Sequence, residues 1–210
     1  MEMEQIKVGF MAVFSYLVSC PRTREALLID PGGNEEDLVG RVSKKGLSLK
    51  YIVNTHGHGD HTCGNGKVKA LTGAQIIMHP MDDKLFNSPA GHQRAREWGF
   101  EPSPPADILI NDEESISVGD VSLRVIHTPG HSPGGICLIG NGNLFTGDTL
   151  FVGGVGRTDL PGSSSGLFMK SIREKLMTLP PETIVWPGHD YGDFPSSTIG
   201  REIAVNPWLS

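Results

Sequence analysis

The chain has 210 residues, of which 38% are apolar and 20% charged, and a formal net charge of −6 at pH 7. That length suffices for one well-buried core, and no linker or low-complexity tract divides it, so a single domain over residues 1–210 is expected. The acidic balance supplies no basic face for phosphate backbones, and no apolar run approaches the ~20 residues that span a bilayer, so neither a nucleic-acid partner nor a membrane segment is expected.

From the N-terminus, residues 8–18 form an apolar run ending in Leu17-Val18-Ser19-Cys20, which has the outline of a lipoprotein cleavage site. The residues before it, Met1-Glu2-Met3-Glu4-Gln5-Ile6-Lys7, are net acidic where a secretory signal is basic. Pro21-Arg22-Thr23-Arg24-Glu25 reads as a turn and Ala26-Leu27-Leu28-Ile29 as a returning strand, so a hairpin of two core strands is expected in place of an export signal. Cys20, Cys63 and Cys137 are odd in number, widely spaced and free of any Cys-x-x-Cys pair. They point to a reducing, cytoplasmic compartment without a disulfide framework, and Cys63 is read as a packing residue. Asp30-Pro31-Gly32-Gly33 closes the second strand. Asn34 or a neighbour then caps a helix to about residue 45, with Leu38, Val39 and Val42 spaced for one buried face.

Residues 49–53 form the strand that leads into Asn54-Thr55-His56-Gly57-His58-Gly59-Asp60-His61. Neutral imidazole nitrogens and carboxylate oxygens are ligands for zinc, manganese or non-haem iron. His56 and His58, at i and i+2 off a strand, face one side and can reach a single ion. Asp60 and His61 are adjacent, point differently, and suit a second ion. Gly57 and Gly59 relieve crowding. The competing reading is a His-rich surface loop, or a helix start capped by Asp60.

Downstream, residues 62–71 read as a helix and 74–78 as a strand. Residues 87–106 hold four prolines with Trp98 and Phe100 around a short helix at 93–98. A stretch of that kind is often a lid or binding loop, with Trp98 as a substrate contact. His79, His92 and His127 are read as satisfied or surface histidines. Residues 115–118, 121–126, 136–139 and 144–145 are hairpin-linked strands. Residues 168–179 and 198–205 read as helices. Three more ligand types follow strand-like runs and sit beside glycine: His131, Asp148 and His189. Four strand ends therefore present metal-type side chains, as expected if they converge on one cleft.

The set His56-x-His58-x-Asp60-His61, then His131, Asp148 and His189, resembles the metallo-β-lactamase superfamily, and the flanking sequence is most similar to its glyoxalase II and persulfide dioxygenase branches. The resemblance runs from Leu28-Ile29-Asp30-Pro31-Gly32 to Asn206-Pro207-Trp208-Leu209. It implies an α/β fold, a four-layer αββα sandwich with the metals at one edge of the sheets. It implies that His56, His58 and His131 hold one metal and that Asp60, His61 and His189 hold another, with Asp148 bridging. It also implies that Asp30 is structural.

Two divalent ions, zinc foremost with iron or manganese as alternatives, would activate a shared water against a thioester, with Asp60 or Asp148 orienting it. The rival is a persulfide dioxygenase using one iron on His56, His131 and Asp148, the two-histidine, one-carboxylate set of non-haem iron oxygenases. Gly156-Arg157-Thr158-Asp159 and His189-Asp190-Tyr191 resemble that branch. Arg157 and Tyr191 are the substrate-contact candidates, with a salt bridge to Asp159 as the alternative for Arg157. Asp159 stands where glyoxalase II carries a tyrosine, and the chain ends without that family's helical domain, which puts glutathione recognition in doubt. A lactonase and a non-catalytic metal module are further alternatives, and His61 weighs against a true β-lactamase. The expected partner is a small thioester or thiol-derived substrate.

Overall fold

The computed structural model describes residues Met1–Leu209. One mixed sheet holds β1 (Glu2–Val8), β2 (Val13–Ser19), β3 (Glu25–Ile29), β4 (Ser48–Val53), β5 (Gln75–Met78) and β6 (Ile108–Leu109) in sequential order. β1, β2 and β3 are antiparallel neighbours, and β3 to β6 run parallel. The second sheet starts with β7 (Ser115–Val118), β8 (Val121–His127), β9 (Ile136–Gly140) and β10 (Asn143–Gly147). After a ribbon of β11 (Leu150–Phe151) and β12 (Gly154–Val155), it adds β13 (Ile184–Pro187) and β14 (Ser197–Thr198), in the order β14-β13-β10-β9-β8-β7.

Period-two alternation sorts the strand residues onto two faces. In β3, Leu27 and Ile29 face the other sheet and pack with Phe14, Tyr16, Val125 and Phe145. Ala26 and Leu28 face outward, against Leu38 and Val42 of α1 (Glu35–Lys44). Between α1 and the next strand-crossing helix lies the short α2 (Gly59–Thr62); α3 (Asn65–Thr72) adds Val68 to the same outer layer. The outer face of the second sheet, through Ile126, Leu144 and Val185, is covered by Leu176 and Ile199. Helix on sheet on sheet on helix is the expected four-layer sandwich.

The topology explains where the site forms. β8, β10 and β13 point the same way, because β9 is antiparallel to β8 and β10 while β13 is parallel to β10. β3, β4 and β5 are likewise parallel. Their C-terminal ends leave Asp30, the His56 loop, His131, Asp148 and His189 at one edge of the sandwich.

Several expectations change. The apolar run over 8–18 breaks at a Gly9–Ala12 turn, and a strand not anticipated, β1, pairs with β2. Apolarity alone carries no mark of that turn beyond Gly9, which sits at φ +63°. Asn34 does not cap α1 through its side chain; it adopts φ 54° and its Oδ1 accepts from Gly9 N at 2.8 Å, tying the turn to α1. The short helix expected at 93–98 is α5 (Pro89–Glu97), which starts earlier because proline is well placed in a helix's first turn; a further helix, α4 (Pro80–Phe86), precedes that stretch, and residues 98–106 carry no helix. The helix expected at 168–179 starts earlier, as α6 (Ser165–Ser171), and runs into a π-helical turn over Ile172–Leu176. The last helix is α7 (Ile199–Val205).

Tyr16, 2% exposed, reaches across the sandwich to donate its hydroxyl to Pro187 O at 2.5 Å, at the end of β13 and two residues before His189. Replacing Tyr16 with Phe leaves that carbonyl without its partner. The variant is expected to lose about 1–3 kcal/mol of unfolding free energy in urea titrations.

Candidate metal centre

The seven expected ligands come together. His56 and His58 leave β4 in a buried turn, and Asp60 and His61 lie on the single turn of α2. His58 Nδ1 stands 2.9 Å from His131 Nε2, and His61 Nε2 stands 3.0 Å from His189 Nε2. Asp148 lies between the two pairs: its Oδ1 is 3.3 Å from His61 Nε2, and its Oδ2 is 3.6 Å from His131 Nε2 and 3.4 Å from His189 Nε2. Asp60 Oδ2 is 3.4 Å from His189 Nε2. Two compact sets result, His56/His58/His131 and Asp60/His61/His189.

The outward nitrogens determine what the inward ones can be. His131 Nδ1 lies 2.8 Å from Arg157 O and His189 Nδ1 lies 2.8 Å from Met11 O, both acceptor-only carbonyls. His61 Nδ1 faces Asp30 Oδ2 at 3.0 Å. Thr55 Oγ1 donates to Asp30 Oδ2 at 2.6 Å, so it is free to accept from His56 Nδ1 at 3.1 Å. In each neutral ring the proton is thereby on Nδ1, and four Nε2 lone pairs point inward. His56 Nε2 and Asp148 Oδ1 are buried with no hydrogen-bond partner. Facing lone pairs and orphaned acceptors fit cations, and ligands of one tetrahedral ion at about 2.0–2.1 Å would stand about 3.3 Å apart.

Asp30 also falls within reach of His56 and His61 as a possible ligand group. Its oxygens are already taken by Thr55 N, Thr55 Oγ1 and His61 Nδ1, so it supports the ligands from behind, as expected. The Gly9–Ala12 turn does the same for His189, through Met11 O and the contacts Asp190 N to Ala12 O and Phe14 N to Gly188 O. Gly188 has no alternative: a Cβ there would stand 2.4 Å from Asp148 Oδ1.

A cleft of about 390 Å³ opens over the cluster, with His58, Asp60, His131, Asp148 and His189 on its floor. Met11, Trp98, Phe100, Phe151 and Leu160 make its walls apolar. Tyr191 lines it and stacks on His189 at 4.4 Å. Arg157 lines it too, but its guanidinium is paired with Asp159 at 2.6 and 2.7 Å, the alternative considered from the sequence. Trp98 reaches the cleft from the end of α5. His79 and His127 stack on each other at 4.1 Å, and His92 meets Asn87, so none of the three joins the ligand sets. Cys63 is also outside them, with its thiol pushed up to about 11, first by burial and then by Glu35 and Asp60. Asp82, not singled out in the sequence, is buried between the ligand loops and accepts from Gly57 N, Ser132 Oγ and Gly134 N.

Burial depresses His56 well below its ordinary range, with His61 adding to it, and burial plus His131 push His58 down to about 3. Burial also opposes charge on His61 and His189, but there the carboxylates win. Asp148, Asp60 and Asp30 hold His61 well above the usual range, and Asp148 and Asp60 bring His189 up to about 9. Burial pulls Asp148 upward, yet His61 and His189 keep it well below an ordinary carboxylate.

A family model described as the metallo-beta-lactamase superfamily matches residues 8–189. Hydroxyacylglutathione hydrolase GloC of Haemophilus influenzae is 36% identical, covering 89% of this chain and 88% of its own length. The human mitochondrial persulfide dioxygenase ETHE1 is 35% identical, covering 94% and 71%. Among solved structures, the BLEG-1 B3 metallo-beta-lactamase aligns over the whole of both chains with a TM-score of 0.90 and 34% identity. TTHA1623 in a di-iron-bound form aligns over 98% of this chain and all of its own, with a TM-score of 0.85 and 34% identity.

The opposing histidine shifts make a pH prediction for chelator-treated protein. Below about pH 6.5, the unfolded chain takes up protons that folded His56 and His58 refuse, so stability falls as pH falls toward about 3. Above about pH 6.5, the stabilisation from charged His61 and His189 is lost as pH rises through about 9. Melting temperatures in EDTA are expected to peak near pH 6.5; a steady climb from pH 5 to 9 would contradict this charge assignment.

Proposed function

The chain belongs to the metallo-beta-lactamase superfamily, and from that premise we propose that it is a metal-dependent hydrolase that cleaves a small-molecule thioester at a two-metal centre. The observation that carries this reading is the pair of adjacent three-residue sets with Asp148 reaching both. His56, His58 and His131 would hold one ion and Asp60, His61 and His189 the other, with Asp148 within reach of both. Likeness to GloC over nearly the whole of both chains supports the thioester, and likeness to a di-iron-bound structure supports two ions.

When bound, two divalent ions, zinc foremost with iron or manganese as alternatives, supply Lewis acidity and bring a shared water's pKa toward neutrality. The chain's own groups do the rest. Asp60 and Asp148 accept hydrogen bonds from the attacking water and orient it at the cleft floor. The apolar walls exclude bulk water and take the organic part of the substrate, with Tyr191 presenting a ring face. A thiol leaving group with a pKa near 8.5 departs as thiolate, so the absence of a spare acid in the ligand set is no obstacle. Arg157 can bind a substrate carboxylate only in competition with Asp159. Such a substrate needs neither nucleic acid nor membrane, and no helix among the described residues is long and apolar enough to cross a bilayer. A cytoplasmic setting accords with the three free cysteines.

A second reading, a mononuclear iron persulfide dioxygenase on His56, His131 and Asp148, is favoured by the 35% identity to the human enzyme. Elemental analysis of protein purified without added metal separates the two when run beside assays for acyl-glutathione thioester cleavage and for persulfide-dependent oxygen uptake. About two equivalents of metal, thioester cleavage and no oxygen uptake are expected. Near one equivalent of iron with persulfide-dependent oxygen consumption overturns the hydrolase. Lactones and, given BLEG-1, β-lactams belong in the same panel.

A further inference from the structure

Among the described residues, the groups around Asp82 form an unusual constellation for a buried carboxylate. Asp82 is 0% exposed in the first turn of α4, and no lysine or arginine pairs with it. Three donors converge on it instead. Gly57 N at 2.8 Å and Ser132 Oγ at 2.7 Å reach Oδ2, and Gly134 N at 2.5 Å reaches Oδ1. Gly57 lies between His56 and His58, and Ser132 is the residue after His131. One side chain from a third element therefore joins the two loops that carry the three-histidine set.

We propose that Asp82 is the positioning residue of the three-histidine metal site: it fixes the His56–His58 turn against the His131 loop. The inference rests on the two-metal reading for the identity of the site, although the geometry applies equally if one ion binds there. Every neighbour bonded to Asp82 is a donor, so a carboxylate satisfies all three and an amide cannot. In an Asn side chain, one oxygen becomes an NH2 that must face an N–H or give up the Ser132 and Gly57 bonds. The cluster Asp60/His61/His189 makes no bond to Asp82. It is braced by Asp30 and Met11 O; Asp30 also reaches His56 through Thr55, whereas Asp82 bonds only the loops of the three-histidine set.

The test is a metal titration of purified full-length Asp82→Asn with Co(II), followed by absorbance, beside the unaltered protein and Ser132→Ala. Asp82→Asn is expected to weaken one equivalent by about 10–100-fold and leave the other unchanged. Ser132→Ala removes one of the three bonds and is expected to weaken the same equivalent by less. If Asp82→Asn does not fold, Ser132→Ala decides alone. Unchanged affinity for both equivalents overturns the proposal, as does an equal fall in both, which is the mark of general loosening. If the unaltered protein binds only one equivalent, the two-metal reading fails; the proposal then stands or falls on whether that equivalent weakens in the variants.

Discussion

His61 Nε2 and His189 Nε2 face each other at 3.0 Å, and in their neutral forms both carry lone pairs, because Asp30 and Met11 O hold the protons on the opposite nitrogens. That contact requires a positive charge between the rings. A proton can supply it, and the carboxylates around His61 and His189 favour one there by holding both rings above their ordinary range. A metal ion supplies it better, since it also satisfies His56 Nε2 and Asp148 Oδ1, the buried acceptors left alone. Metal uptake should then displace protons, linking affinity to pH.

The sandwich exists in a form that permits this contact because its strands run the right way. β8, β10 and β13 deliver His131, Asp148 and His189 from one sheet, and parallel β3 and β4 deliver Asp30 and the His56 loop from the other. The inter-sheet core of Phe14, Tyr16, Leu27, Val125 and Phe145 sets the spacing between those two edges. Packing and chemistry meet at single residues. Tyr16 belongs to the core yet holds the chain two residues from His189. The Gly9–Ala12 turn belongs to a hairpin yet supplies His189 with its acceptor.

Support for the ligands is as specific as the ligands. Asp30 binds through Thr55 to His56 and directly to His61, so one carboxylate sets the tautomer of a ring in each half of the centre. Asp82 bonds only the loops of the first half. The cleft above carries apolar walls and an arginine already paired with Asp159.

From the sequence alone, the ligand types, their order and their glycine-flanked strand ends were readable, because coordination chemistry constrains residue identity and short-range spacing. The sandwich came from resemblance rather than from periodicity. The turn within residues 8–18 and the use of Asn34 Oδ1 on Gly9 were not readable, since each is chosen by contacts with distant chain. Asp82 carries no local sign of its role. Its three donors lie 25, 50 and 52 residues away, and only the folded packing of α4 against both loops brings them within hydrogen-bond reach. Sequence determined which chemistry is possible; tertiary structure decided which nitrogen of each ring faces the cluster, because that depends on what lies behind it.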